Sequence, residues 1–220
     1  MEQLMIIEQV AVGQMAVFCY LVGCEETRQA AAIDPAGDTE RILAVLQGKN
    51  LRLAYIINTH GHADHTCGNQ ALAARTGAKA VMHAVDDDFF TSAEGRRLSE
   101  AFGLCSAAPA DIRVTDGDRL PVGRLSLEFI HTPGHSPGAM CVRVEKNLFT
   151  GDTLFVGAVG RTDLPGGSLE ELLKSIEEKL LPLPPETVVW PGHDYGDRPV
   201  STLANEIETN PYITDLILDK

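Results

Sequence analysis

Basic residues are scarce in this chain. Against 31 aspartates and glutamates stand 18 lysines and arginines, a formal net charge of −13 over 220 residues. Phosphate backbones and anionic lipid surfaces are gripped through a basic footprint, so neither nucleic acid nor a membrane is an expected partner. The five cysteines, Cys19, Cys24, Cys67, Cys105 and Cys141, are odd in number and contain no CxxC pair. Neither a disulfide framework nor a cysteine zinc module is therefore expected. No apolar run approaches the roughly 20 residues that span a bilayer. Residues 1–10 carry Glu2 and Glu8 and no basic residue, unlike a secretory leader, so the default expectation is a cytoplasmic protein. Low-complexity segments, internal repeats and long linkers are also absent, and residues 1–220 read as one domain.

What is present is an ordinary globular composition, 44% hydrophobic and 22% charged. Short apolar runs alternate with helical patterns. Residues 5–12, 15–22 and 30–33 read as successive strands of a meander, punctuated by Gly13, Gly23 and Asp34-Pro35-Ala36-Gly37. Asp38 is placed to cap a helix carrying Ile42, Val45 and Leu46, with Gly48 as its stop. Residues 51–58 form a buried-looking strand, an alanine-rich helix ends at Gly77, and residues 79–83 form another strand. Residues 84–110 are the least regular, helical with a polar stretch near residues 92–97. Strands follow at residues 125–130, 140–144, 148–150 and 187–190. Ser168 and Glu171 make a capping box for a helix through Leu172, Leu173, Ile176 and Leu180. The outline is α/β, with sheets in the middle and helices outside.

Three of the seven histidines fall in His60-Gly61-His62-Ala63-Asp64-His65, directly after a strand. His60 and His62, two apart in extended chain, project the same way and can approach one ion together. Asp64 and His65 lie at the turn into the next helix and can aim at a neighbouring point. His135 sits in the stiff Thr132-Pro133-Gly134-His135-Ser136-Pro137-Gly138 loop, Asp152 ends a strand in Gly151-Asp152-Thr153, and His193 follows the last strand in Pro191-Gly192-His193. Loops on a rigid scaffold suit metal sites, whose distances tolerate only about ±0.2 Å. Imidazole and carboxylate without thiolate fit zinc, iron or manganese. Cys67 reads as a small packing residue near a helix start rather than one facing the site, and His83 and His131 as structural or as supports behind the ligands rather than ligands. Asp34 either orients a ligand histidine or shapes a turn.

These motifs, from Asp34-Pro35 through Thr59–His65 to Pro191-Gly192-His193, resemble the metallo-β-lactamase fold, and within it the glyoxalase II-like (hydroxyacylglutathione hydrolase-like) branch. The resemblance implies a four-layer αββα sandwich of two mixed β-sheets with outer helices. It assigns His60, His62 and His135 to a first metal and Asp64, His65 and His193 to a second. Asp152 would bridge them, and Asp64 would also orient the attacking water. The cofactor implied is two divalent ions, zinc first, with iron or manganese compatible. The implied reaction is thioester or small-ester hydrolysis by a metal-bridging hydroxide. Only residues 194–220 follow His193, too few for the helical domain that grips glutathione in larger relatives, so a short form is expected. Gly160-Arg161-Thr162-Asp163 is similar to the loop of short members and of persulfide dioxygenases. Arg161 there either contacts a substrate carboxylate or pairs with Asp163, and Tyr195 either contacts a thiol-bearing substrate or packs. The expected substrate is a small anionic thioester or thiol-derived molecule. The alternative is a non-haem persulfide dioxygenase using a single Fe(II) held by His60, His135 and Asp152. β-Lactam cleavage is not expected, because export and zinc-cysteine features are lacking.

Overall fold

A computed structural model describes residues 5–219. The chain opens with β1 (Met5–Val12) and β2 (Val17–Cys24), antiparallel in the register Met5↔Cys24 to Val12↔Val17, and β3 (Gln29–Ile33) returns beside β2. Their Val and Ile content suits a pleated surface, and every residue of β2 is buried. Crossovers through helices then add parallel strands. Helix α1 (Thr39–Gly48) leads to β4 (Arg52–Ile57), the short α2 (Ala63–Thr66) and α3 (Asn69–Thr76) to β5 (Lys79–His83), and α4 (Ala84–Thr91) and α5 (Ala93–Ala101) to β6 (Ile112–Val114). The sheet order is β1-β2-β3-β4-β5-β6, with β3 to β6 parallel.

The second sheet begins with the meander β7 (Arg119–Val122), β8 (Leu125–His131), β9 (Met140–Val144) and β10 (Asn147–Gly151). A two-stranded ribbon, β11 (Leu154–Phe155) with β12 (Ala158–Val159), precedes α6 (Leu169–Ser175), which continues as a π-helical segment over Ile176–Leu180. Then come β13 (Val188–Pro191), β14 (Ser201–Thr202), α7 (Leu203–Thr209), α8 (Pro211–Ile213) and a second π segment, Thr214–Leu218. The order is β14-β13-β10-β9-β8-β7, with β10 and β13 parallel.

Burial divides into three clusters, as an αββα sandwich requires. Between the sheets lie Phe18, Tyr20, Ile33, Ile57, Leu127, Phe129, Val142 and Phe149. Outside the first sheet, Ile42 and Leu46 of α1 and Leu72 of α3 cover Val10, Leu21 and Ile56. Outside the second, Leu172, Ile176 and Leu203 cover Cys141, Leu148 and Val189. No helix among the described residues is long and apolar enough to cross a membrane.

Local details depart from expectation in three places. Asp38 precedes α1 with a left-handed backbone (φ 48°), and its carboxylate makes no cap bond; it accepts from the Gly13 amide at 2.9 Å and so fixes the β1–β2 turn. Ser168 does cap α6, accepting from the Glu171 amide, but its own amide donates to Gly134 O at 2.8 Å, which leaves no reciprocal half to the box. Most consequentially, Cys67 and Cys105 are joined in a disulfide, with Cα atoms 5.7 Å apart and a sequence separation of 38. The odd cysteine count hid this pair because the fold alone brings the end of α2 against the loop after α5. Cys19, Cys24 and Cys141 are free and buried.

Candidate metal centre

Every candidate ligand leaves a strand end on the same rim of the sandwich. The Thr59–His65 segment follows β4, the His135 loop follows β8, Asp152 follows β10, and His193 follows β13. Two close approaches make this rim possible without side chains in the way. A Cβ on Gly61 would stand 2.1 Å from Phe90 Cδ2, and one on Gly192 would stand 2.3 Å from Asp152 Oδ1. Glycine lets the backbone pass where any larger residue would displace a neighbour.

The seven side chains converge on two adjacent points. At the first, His135 Nε2 lies 2.9 Å from His62 Nδ1 and 3.2 Å from His60 Nε2. At the second, His65 Nε2 lies 3.2 Å from His193 Nε2, with Asp64 Oδ2 at 3.7 and 3.8 Å from the two. Asp152 stands between them: Oδ2 is 3.7 Å from His135 Nε2 and 3.6 Å from His193 Nε2, and Oδ1 is 3.4 Å from His65 Nε2. Both triads have donor atoms close enough together to hold a cation.

The electrostatics fit a cation. Burial, joined by the neighbouring rings, holds His60 and His62 well below the ordinary imidazole range and His135 down to about 4. The three rings are therefore neutral, each with one lone pair to offer, and the nitrogens of His60 and His62 crowd within 3.2 Å of His135 Nε2, where an ion would accept those lone pairs. Burial lifts Asp152 to about 7, an effect opposed by His65, and leaves its Oδ1 without a hydrogen-bond partner. Burial opposes protonation of His65, as it does for His60 and His62, yet Asp152, Asp34 and Asp64 outweigh it and raise the ring to about 10. An imidazole and carboxylate set without thiolate is a divalent-metal site of the zinc, iron or manganese type.

Partners behind the ligands fix their orientation. Asp34 accepts from the Thr59 amide at 2.8 Å and Thr59 Oγ1 at 2.6 Å, and its Oδ2 lies 3.0 Å from His65 Nδ1. It is thus an orienting residue, and its left-handed backbone (φ 51°) aims it there. His135 Nδ1 donates to Arg161 O at 2.8 Å, which turns Nε2 toward the cluster. The Arg161 guanidinium is forked onto Asp163 through Nε at 2.7 Å and Nη2 at 2.8 Å, and this pair pulls Asp163 down to about 2. Tyr195 is 61% exposed and stacks on His193 with ring centroids 4.9 Å apart. His83 and His131 stack on each other away from the triads, with centroids 4.1 Å apart.

Sequence reasoning missed Asp86. This buried carboxylate accepts from the Gly61 amide at 2.8 Å, from Ser136 Oγ at 2.7 Å and from the Gly138 amide at 2.5 Å. It thereby ties the His60–His62 segment to the His135 loop. In the run Asp86-Asp87-Asp88 at a helix start, all three read as favourable acids beside the helix dipole, so nothing singled it out.

The sequence profile of the family described as Metallo-beta-lactamase superfamily matches residues 12–193. A protein of Polaromonas sp. named hydroxyacylglutathione hydrolase is 38% identical over 92% of this chain and 72% of its own length. The Homo sapiens mitochondrial persulfide dioxygenase ETHE1 is 36% identical over 90% of this chain and 71% of its own. Among solved structures, BLEG-1, a B3 metallo-beta-lactamase, superposes with a TM-score of 0.86 at 32% identity, covering 95% of this chain and 100% of that one.

Proposed function

The chain belongs to the metallo-beta-lactamase superfamily, and from that premise we propose that it is a binuclear metallohydrolase cleaving a small thioester or related ester. The observation that carries this reading is Asp152, placed within 3.7 Å of donors from both triads. A carboxylate between two complete donor sets suits two ions side by side, zinc or iron among them. Two such ions supply Lewis acidity and lower the pKa of water toward neutrality.

The chain's own groups supply the rest. Asp64 lines the open cleft above the triads, where its carboxylate accepts a hydrogen bond from the attacking water and holds it in line. Tyr195 borders the same cleft, where partial desolvation on its inner side and the Asp152 and Asp64 carboxylates push its phenol pKa up. It is then a donor to the substrate's sulfur or carbonyl oxygen. Arg161 contributes its backbone carbonyl to His135, while its side chain offers an anionic carrier a contact shared with Asp163.

A second reading, persulfide dioxygenase, draws on the 36% identity to ETHE1 and on the subset His60, His135 and Asp152. It gives no role to His62, the closest neighbour of His135 in the first triad. Metal quantification paired with two assays separates the readings. Near two ions per chain with hydrolysis of lactoylglutathione or a simple acyl thioester supports the hydrolase. One iron per chain with oxygen uptake on a glutathione persulfide overturns it. Nitrocefin belongs beside them because of the likeness to BLEG-1, and no turnover of it is expected.

A further inference from the structure

One wall of the cleft above the triads has no charged group. Phe90, Leu98, Phe102 and Leu104 from the α4–α5 region, Met15 from the β1–β2 turn and Leu164 line the same cleft as His62, Asp64, His135, Asp152 and His193. Phe102 is 53% and Met15 52% exposed, so two large apolar side chains stand in water beside the donor atoms. Leu98 and Phe102 are four residues apart at the end of α5 and share one helix face. That face is absent from the three clusters of buried core and turns to the cleft. The disulfide from Cys67 to Cys105 anchors the segment carrying Phe102 and Leu104 beside the triads. Arg161 supplies the cleft's one lysine or arginine side chain among the described residues, and Asp163 engages it. A charged acyl group would meet apolar walls and the carboxylates of Asp64 and Asp152.

We infer that the acyl group of the substrate is apolar, an unbranched aliphatic chain laid along Phe102, Leu98 and Met15 with its thioester carbonyl beside Asp64. The thiol carrier leaves through an adjoining cleft, lined by Phe155, Arg161, Leu169, Tyr195 and Tyr212, which shares Asp152, Arg161 and Tyr195 with the first. This assignment rests on the hydrolase reading and names its substrate class.

The test uses the metal-loaded protein and a series of acyl thioesters on one small neutral thiol, N-acetylcysteamine, from acetyl through butyryl and hexanoyl to octanoyl. Each methylene drawn from water should raise kcat/KM by about threefold until the wall is covered. Phe102→Ser and Leu98→Ser should flatten that dependence, cutting the octanoyl-to-acetyl ratio about tenfold or more while metal content is retained. A flat series, a preference for succinyl over hexanoyl, or an unchanged ratio in Phe102→Ser overturns the inference. Calorimetric titration with alkyl hydroxamates keeps the two readings apart. If octanohydroxamate binds tighter than acetohydroxamate while no thioester is cleaved, the hydrolase reading falls and the apolar wall stands. If the two bind alike, the apolar wall falls whatever the enzyme cleaves.

Discussion

Gly61 separates the two histidines that begin the first triad, and alanine there tests how tightly the fold positions them. The added methyl would stand 2.1 Å from Phe90 Cδ2 and 2.6 Å from Cγ, inside van der Waals contact. Phe90 cannot swing aside freely: it is 1% exposed and meets His62 edge-on with centroids 5.0 Å apart. Overpacking of this kind costs about 1–3 kcal/mol. Any relief by backbone movement shifts His62 away from His135 or strains the Gly61 amide bond to Asp86. Gly61→Ala should therefore lower metal affinity at the first triad by about tenfold or more, the scale seen when groups behind a ligand are disturbed. Phe90→Ala alone should cost about 3–5 kcal/mol through the void it leaves. In the double variant the methyl occupies part of that void, so the two costs should sum to about 1–2 kcal/mol less than additivity predicts. Urea unfolding of the metal-free proteins measures the stabilities without metal linkage, and competition with a chelator measures affinity. Additivity within about 0.5 kcal/mol, with unchanged affinity in Gly61→Ala, would refute the steric account.

Three other outcomes follow from the same geometry. In the metal-free protein His65 titrates near 10, so its contribution to stability is complete below the unfolded value and fades as pH rises through 10. Metal uptake at pH 7.5 should then release at least one proton per chain, with Asp152 adding a fraction, read by calorimetry in buffers of different ionisation enthalpy; release of none would contradict it. Reducing Cys67–Cys105, or replacing both with serine, opens a loop of separation 38 and should lower stability by about 3–4 kcal/mol in the chain-entropy account. Identical urea midpoints with and without reductant would show the crosslink to be inert. Asp163→Asn removes the partner that forks Arg161 and should lower KM for a glutathione thioester severalfold without the same effect on a neutral carrier. An equal change for both carriers would mean that Arg161 serves only the loop.

The strands and the ligand-bearing loops were legible because local signals and tertiary placement agree there. The strand at residues 79–83 appears with the expected bounds, and Gly77 ends α3 in the left-handed conformation that favours glycine. The histidine spacing works for a similar reason, since an extended HxH segment must present both rings on one side. What the sequence hid depends on contacts between distant segments. Asp86 acts across 25 residues to Gly61 and 50 to Ser136. Asp38 left its helix for Gly13 because a turn amide competed better than the helix's own. Residues 84–110 stayed vague because Leu98 and Phe102 point into a cleft and not a core, which blurs the helical pattern.

The way the two sheets are joined beneath the rim gives the centre its rigidity. The Met140 amide donates to Thr59 O at 2.8 Å, and the Phe18 amide to Gly192 O at 2.8 Å, so each sheet holds the loop of the other. Tyr20, buried between the sheets, donates to Pro191 O at 2.6 Å, two residues before His193. With Asp34 and Asp86 added, carboxylates and backbone bonds brace the loops that carry six of the seven candidate ligands. A scaffold stitched this way presents its donors before any ion arrives, so little ordering entropy opposes metal uptake. Among the described residues the α4–α5 region has no comparable ties at its exposed end, where Phe102 stands in water and Cys105 provides the covalent tether. Donors braced from both sheets on one side and an exposed apolar wall on the other make an arrangement in which acyl-chain preference can change without disturbing the donors.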